Sequence, residues 1–207
     1  MRMRSIFLTV LIPLVVLAAN ENLSSQSDYK PAVYVTFVNH GFGGFGNSIR
    51  KIDFADLPYM IPGKGDSNDG DLFLLRNGKF ERRWDFGMRE ITLKQTYYFR
   101  SGIAGPQRAL VLLSDLGVGG SSSDIGILSL FQLDSGVLTI TQQFQYDEQA
   151  TGTGVEFNPG AGILIIRARS NDFSPHCCPK SLDAVTFQWT GKQFEEESHR
   201  TIPIKAG

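Results

Sequence analysis

Residues 125–146 read IGILSLFQLDSGVLTITQQFQY. Two apolar-rich runs, 125–133 and 137–146, flank Asp134-Ser135-Gly136, three residues that favour a turn. In the second run Leu138, Ile140, Phe144 and Tyr146 fall on one side of an extended chain. Thr139, Thr141, Gln143 and Gln145 fall on the other. A period of two is the mark of a strand, and one apolar face predicts a half-buried antiparallel one. The stretch therefore predicts a β-hairpin.

The same reading extends in both directions. Arg76-Asn77-Gly78-Lys79 is a hairpin signal, because Asn-Gly accepts the positive φ angles of a type I′ turn. Ile91, Leu93, Tyr97 and Phe99 mark one face of a long strand, and residues 109–113 form an apolar run suited to burial on both sides. Residues 115–124 hold three glycines and three serines and read as a mobile loop. Upstream, 32–38 predicts a strand with Val33, Val35 and Phe37 on one face, and 47–57 alternates like another before Pro58. Downstream, 162–170 is strand-like, and Val185, Phe187 and Trp189 alternate with polar residues before a last hairpin into Phe194. His199, after Glu195-Glu196-Glu197, reads as a solvated residue of a polar tail. No amphipathic helix exceeds two turns. The fold expected is mainly β, a single domain over 31–207 built as a curved antiparallel sheet or β-sandwich with little helix.

Residues 1–19 have the form of a signal peptide: Arg2 and Arg4, an apolar run interrupted by Pro13, then Leu17-Ala18-Ala19. The run is short for a membrane span, so no transmembrane anchor is expected after cleavage. Residues 20–30 are polar and read as a flexible mature N-terminus. The expected location is secreted or periplasmic. Loss of Arg2 and Arg4 takes the formal charge from −1 to −3. No basic cluster is present, which excludes nucleic acid as a partner. Two cysteines are too few for a disulfide scaffold, so the apolar core must supply most of the stability.

Ser174-Pro175-His176-Cys177-Cys178-Pro179-Lys180 concentrates the unusual chemistry. Each proline pushes the residue before it toward an extended backbone, which stiffens the turn. Adjacent Cα atoms lie about 3.8 Å apart, less than a disulfide usually spans, so a Cys177–Cys178 bridge would be strained. Three readings fit. The favoured one is a local bridge or a pair of inert thiols closing a surface turn. A metal site would use His176, Cys177 and Cys178 with Asp172 as fourth ligand, but no second cysteine pair exists to complete it. A redox pair would lack the usual C-x-x-C spacing. No metal is therefore predicted.

His176-Cys177-Cys178-Pro179, followed by Phe187-Gln188-Trp189-Thr190-Gly191-Lys192-Gln193-Phe194, resembles a group of secreted bacterial proteins. In that group a Cys-Cys-Pro-Ser turn precedes a Tyr-Arg-Trp-x-Gly-x-x-Phe hairpin, and LppP/LprE-type lipoproteins are distantly similar. Lys180 stands in place of the Ser, and Phe187-Gln188 in place of Tyr-Arg. The likeness covers about residues 170–195, with a looser match of strand and turn order back to Ile49. It implies export and a β fold and leaves the activity open. Asn20, not a cysteine, stands directly after the expected cleavage site, which departs from the lipoproteins.

Enzyme signatures are missing: no G-x-S-x-G, no H-E-x-x-H and no P-loop. No catalytic residue, cofactor or cofactor-binding residue is assigned. Gly41-Phe42-Gly43-Gly44-Phe45-Gly46 formally matches a dinucleotide fingerprint, but no helix is expected to follow. Phe42 and Phe45 read instead as exposed side chains of a binding loop. Asp66, Asn68, Asp69 and Asp71 lack the spacing of a calcium loop and read as a solvated turn. The function expected is an exported, non-catalytic module whose loops bind an envelope protein, a glycan or a small anion. The alternative is a thiol-redox or metal-binding protein using the His-Cys-Cys turn.

Overall fold

The strands that the sequence predicts assemble around one central sheet. The computed structural model describes residues 33–61, 71–85, 87–100, 105–116, 124–147, 154–160, 162–168 and 181–204. Among them, six strands form a sheet ordered β1-β8-β7-β6-β5-β4: β1 Tyr34–Phe42, β4 Lys79–Trp84, β5 Gly87–Arg100, β6 Gln107–Leu116, β7 Asp124–Asp134 and β8 Val137–Asp147. A second sheet is ordered β12-β11-β10-β9: β9 Gly154–Asn158, β10 Gly162–Ala168, β11 Ser181–Trp189 and β12 Phe194–Pro203. β2 Pro58–Ile61 and β3 Asp71–Leu74 form a separate ribbon. Every pairing is antiparallel. Among the described residues no helix is long and apolar enough to cross a membrane.

The expected hairpin turn at 134–136 is present, with positive φ at Ser135 and Gly136. Asn77 and Gly78 also take positive φ, as the type I′ signal requires. Their flanking strands nevertheless part after one bridge, Arg76 to Lys79, and pair elsewhere: β3 with β2, β4 with β5. The local turn is legible in sequence because φ preference is local. The strand partners are chosen by burial.

The central sheet is covered on both faces, which corrects the half-buried reading of 137–146. One face packs Leu110, Leu128, Phe144 and Tyr146 against Ile163, Ile165, Val185 and Phe187 of the second sheet. The other packs Ile91, Val111, Ile127 and Phe131 under Ile49, Phe54, Tyr59 and Phe73. β6 lies at the centre, buried from Arg108 to Asp115, as its continuous apolar run predicts.

Two β-bulges explain why simple alternation misplaces several side chains. In β5 the register shifts between Leu93 and Gln95, so Lys94 is an extra residue. Ile91 and Leu93 consequently join the cluster beneath the ribbon, while Tyr97 and Phe99 turn to the second sheet. In β8 Thr141 is the extra residue, since Leu130 pairs with Gln142 and Phe131 with Ile140. Leu138 and Ile140 thus face one layer, and Phe144 and Tyr146 the other. One inserted residue reverses the side-chain parity of everything after it.

Other expectations are revised. Residues 47–57 are not a strand: they form two single-turn 3-10 helices, Ile49–Lys51 and Phe54–Asp56. The Asp53 carboxylate accepts from the Ala55 N–H at 3.0 Å, and Tyr59 donates to the Phe54 carbonyl at 2.7 Å within the core. Asp115 and Leu116 continue β6, and Asp115 accepts a bidentate ion pair from Arg89 with its shortest contact at 2.6 Å. Asp115, Leu116 and Asp124 thus belong to strands, and residues 117–123 of the expected loop lie outside the described residues.

Candidate functional site

Residues 172–178, which hold Asp172, His176, Cys177 and Cys178, lie outside the described residues, as do Asp66, Asn68 and Asp69. Among the described residues no group of three His, Cys, Asp or Glu side chains is placed to hold a metal ion.

Phe42 and Phe45 are described, and they correct the picture of two exposed rings. Both are half-buried and pack on the cluster under the ribbon. Phe42 ends β1, and its ring meets the His40 imidazole edge-on at 4.7 Å. The Phe45 N–H donates to the Gly136 carbonyl at 3.1 Å, which docks this loop on the β7–β8 turn. A Cβ at Gly136 would lie 2.7 Å from the Phe45 carbonyl oxygen, and φ there is +78°. Glycine is required on both counts. The loop is therefore anchored by its aromatic rings, with Gly43, Gly44, Gly46 and Asn47 exposed.

Beside that anchor, one end of the central sheet opens into a cleft of about 530 Å³. Its polar walls come from Asn47, Arg100, Gln132, Asp134 and Ser135, with Leu133 and Pro106 supplying apolar contact. Gln107 holds the floor: its Nε2 donates to the Asn47 carbonyl at 2.8 Å, and its Oε1 accepts from the Ile49 N–H at 3.1 Å. Both ends of that amide are thus spent on fixing the 47–49 segment to β6. Ser135 Oγ donates to Asp134 Oδ1 at 3.0 Å. The residues around the cleft carry a guanidinium, a carboxylate, amides and a hydroxyl. Among the described residues no histidine lines the cleft beside Ser135.

Asp183 and His199 form a second polar group; sequence reasoning placed His199 in a tail and did not single out Asp183. β12 runs on through His199, which lies opposite Val185 in the β11 pairing. Asp183 is 3 % exposed, and its Oδ1 accepts from Thr201 Oγ1 at 3.2 Å and lies 3.2 Å from His199 Nε2. Residues 195–201 are polar at every position, so no alternation marks this strand in the sequence. Arg108 is buried beside the same inter-sheet layer, with its guanidinium 4.6 Å from the Trp189 ring centre. Burial lowers its pKa from the ordinary value. The Tyr59 phenol is pushed far up, chiefly by burial and further by Asp53 and Tyr98 nearby. These groups hold layers together. In the cleft polar groups of the described residues converge on open space, and comparison of the chain with protein-family models, with curated proteins and with solved structures gives no match.

Proposed function

We propose that this protein is an exported, non-catalytic binding module whose ligand is a glycan held in the cleft between the 43–48 loop and the β7–β8 turn. The observation that carries this reading is the composition of that rim. Arg100, Asn47, Gln132, Asp134 and Ser135 offer donors and acceptors of both signs around an open volume of ligand size. Sugar hydroxyls act as donor and acceptor at once, so they match such a rim. Loops fixed on a rigid β scaffold are a common location for binding groups. Export rests on the signal-like residues 1–19, and the resemblance to secreted proteins points the same way.

The test is a titration of the isotopically labelled protein with a panel of neutral and acidic oligosaccharides, followed by amide chemical shifts. Saturable shifts confined to Asn47, Gln132, Asp134 and Ser135 are expected, and they should vanish in Asp134→Ala. Shifts scattered over the surface, or binding that persists unchanged in that variant, would sink the reading. For export, mass spectrometry of the natural protein should find the N-terminus near residue 20, and an intact Met1 would contradict it.

A further inference from the structure

The outer strand β1 is built unlike the other edges of the two larger sheets. β4 carries Lys79, Glu81, Arg82 and Arg83, β12 carries Glu195, Glu196, Glu197 and Arg200, and β9 is only 5 residues long. Charge and shortness are the usual means of keeping an edge from pairing with another chain. β1 has neither. It spans 9 residues with no acidic, lysine or arginine side chain. Tyr34 is 48 %, Val35 37 % and Phe37 63 % exposed. Val35 and Phe37 lie on one face of the strand and Tyr34 on the other, so the first half of β1 is exposed on both faces, while Val38 and Phe42 pack on the cluster under the ribbon.

The order of residues in β1 selects the occupant. We propose that β1 pairs with β1 of a second copy of this chain, antiparallel about a two-fold axis at Thr36. That register sets Val35 opposite Phe37 of the second copy, Tyr34 opposite Val38, and Thr36 opposite Thr36, each pair occurring twice or on the axis. Aromatic with β-branched and Thr with Thr are the favourable cross-strand pairs of antiparallel sheets. The sequence Tyr-Val-Thr-Phe-Val is its own complement in this sense, whereas an unrelated strand would match only the backbone. The charge pattern agrees. Pairing β12 with its copy about Glu196 would set glutamate against glutamate, while β1 brings no formal charge to its copy. The register shift between Phe37 and His40 confines regular pairing to the first half of the strand. Such a contact is confined to half of a 9-residue strand and is small for a specific interface, so the dimer is a reversible one.

Sedimentation of the purified protein from micromolar to near-millimolar concentration tests this. A monomer–dimer equilibrium is expected. Phe37→Lys should raise its dissociation constant on the order of tenfold or more, leaving the melting temperature of the monomer unchanged. Register is tested by Thr36→Cys with Cys177→Ser and Cys178→Ser in the same chain. Opposed residues of antiparallel strands lie about 4.5–5.5 Å apart at Cα, within the reach of a disulfide. Mild oxidation should therefore give a covalent dimer. Leu72→Cys in the same background, exposed on β3, should cross-link far less. A chain that stays monomeric throughout, a dimer indifferent to Phe37→Lys, or equal cross-linking from both positions overturns the proposal.

Discussion

Adjacent glutamines in β8 hold the layers of this molecule together. Gln142 is 1 % exposed and faces the second sheet, where its Nε2 donates to the Phe194 carbonyl at 2.7 Å and its Oε1 accepts from the Phe194 N–H at 3.0 Å. Gln143 points the other way, and its Nε2 donates to the Met60 carbonyl at 2.8 Å. Gln142→Leu should destabilise the protein by about 2–5 kcal/mol in urea unfolding, because it strands a buried donor and a buried acceptor. A loss within 0.5 kcal/mol, roughly the scatter of surface substitutions, would deny that role. Gly126 faces a different constraint: a Cβ there would lie 2.1 Å from Cζ of the Tyr146 ring. Gly126→Ala should cost about 1–3 kcal/mol through overpacking, and Gly126→Ala with Tyr146→Leu should recover part of it. At the surface, Lys79 Nζ lies 2.5 Å from Glu81 and 3.0 Å from Glu90. The Lys79 hydrogen bond holds the Glu81 carboxyl below its ordinary value of 4.5. A depressed carboxylate contributes stability that is present above its unfolded pKa and is lost as pH falls through the folded one. The melting-temperature gap between the protein and Glu81→Gln should therefore be small at neutral pH and close below pH 4.5.

Bulges decide which layer each half of a strand serves. Lys94 lets β5 give Leu93 to the cluster under the ribbon and Tyr97 and Phe99 to the layer of Phe157 and Trp189. The Phe99 ring lies 5.2 Å from Phe157 and 5.6 Å from Trp189, centre to centre. Deleting Lys94 should rotate both rings to the wrong face or slide the strand by one residue. The expected result is loss of the cooperative thermal transition, read from near-ultraviolet circular dichroism. Replacing Lys94 by Thr keeps the extra residue and should leave the transition in place. Neither bulge was legible in the sequence, because Lys94 and Thr141 are ordinary strand-compatible residues and only pairing counts reveal them. The hairpin turns were legible, because Asn77-Gly78 and Ser135-Gly136 state their φ requirement locally.

At the scale of the whole molecule, β4 to β8 form a run of neighbours joined in chain order, but β1 pairs with β8 across a wide gap in sequence, from Phe42 with Leu138 to Tyr34 with Gln145. Such closure costs chain entropy before any contact rewards it, so refolding should take milliseconds to seconds, and Thr36→Pro in β1 should speed unfolding more than it slows folding. Stopped-flow measurements in urea check this; a folding limb slowed in proportion to the lost stability would place β1 in the nucleus instead. The sequence by itself determined the class of structure: alternation, a central apolar run and turn residues demand antiparallel β layers, since no other arrangement buries those faces. It also marked Phe42 and Phe45 as special, though not as the half-buried anchors of a loop beside a polar cleft. Only the tertiary structure decided that the central sheet is covered twice, that 47–57 caps it as two short turns, and that Asp183 meets His199 across β11 and β12. Local preference operates over a few residues, whereas layer coverage, bulge parity and the cleft arise from burial shared among strands distant in the chain.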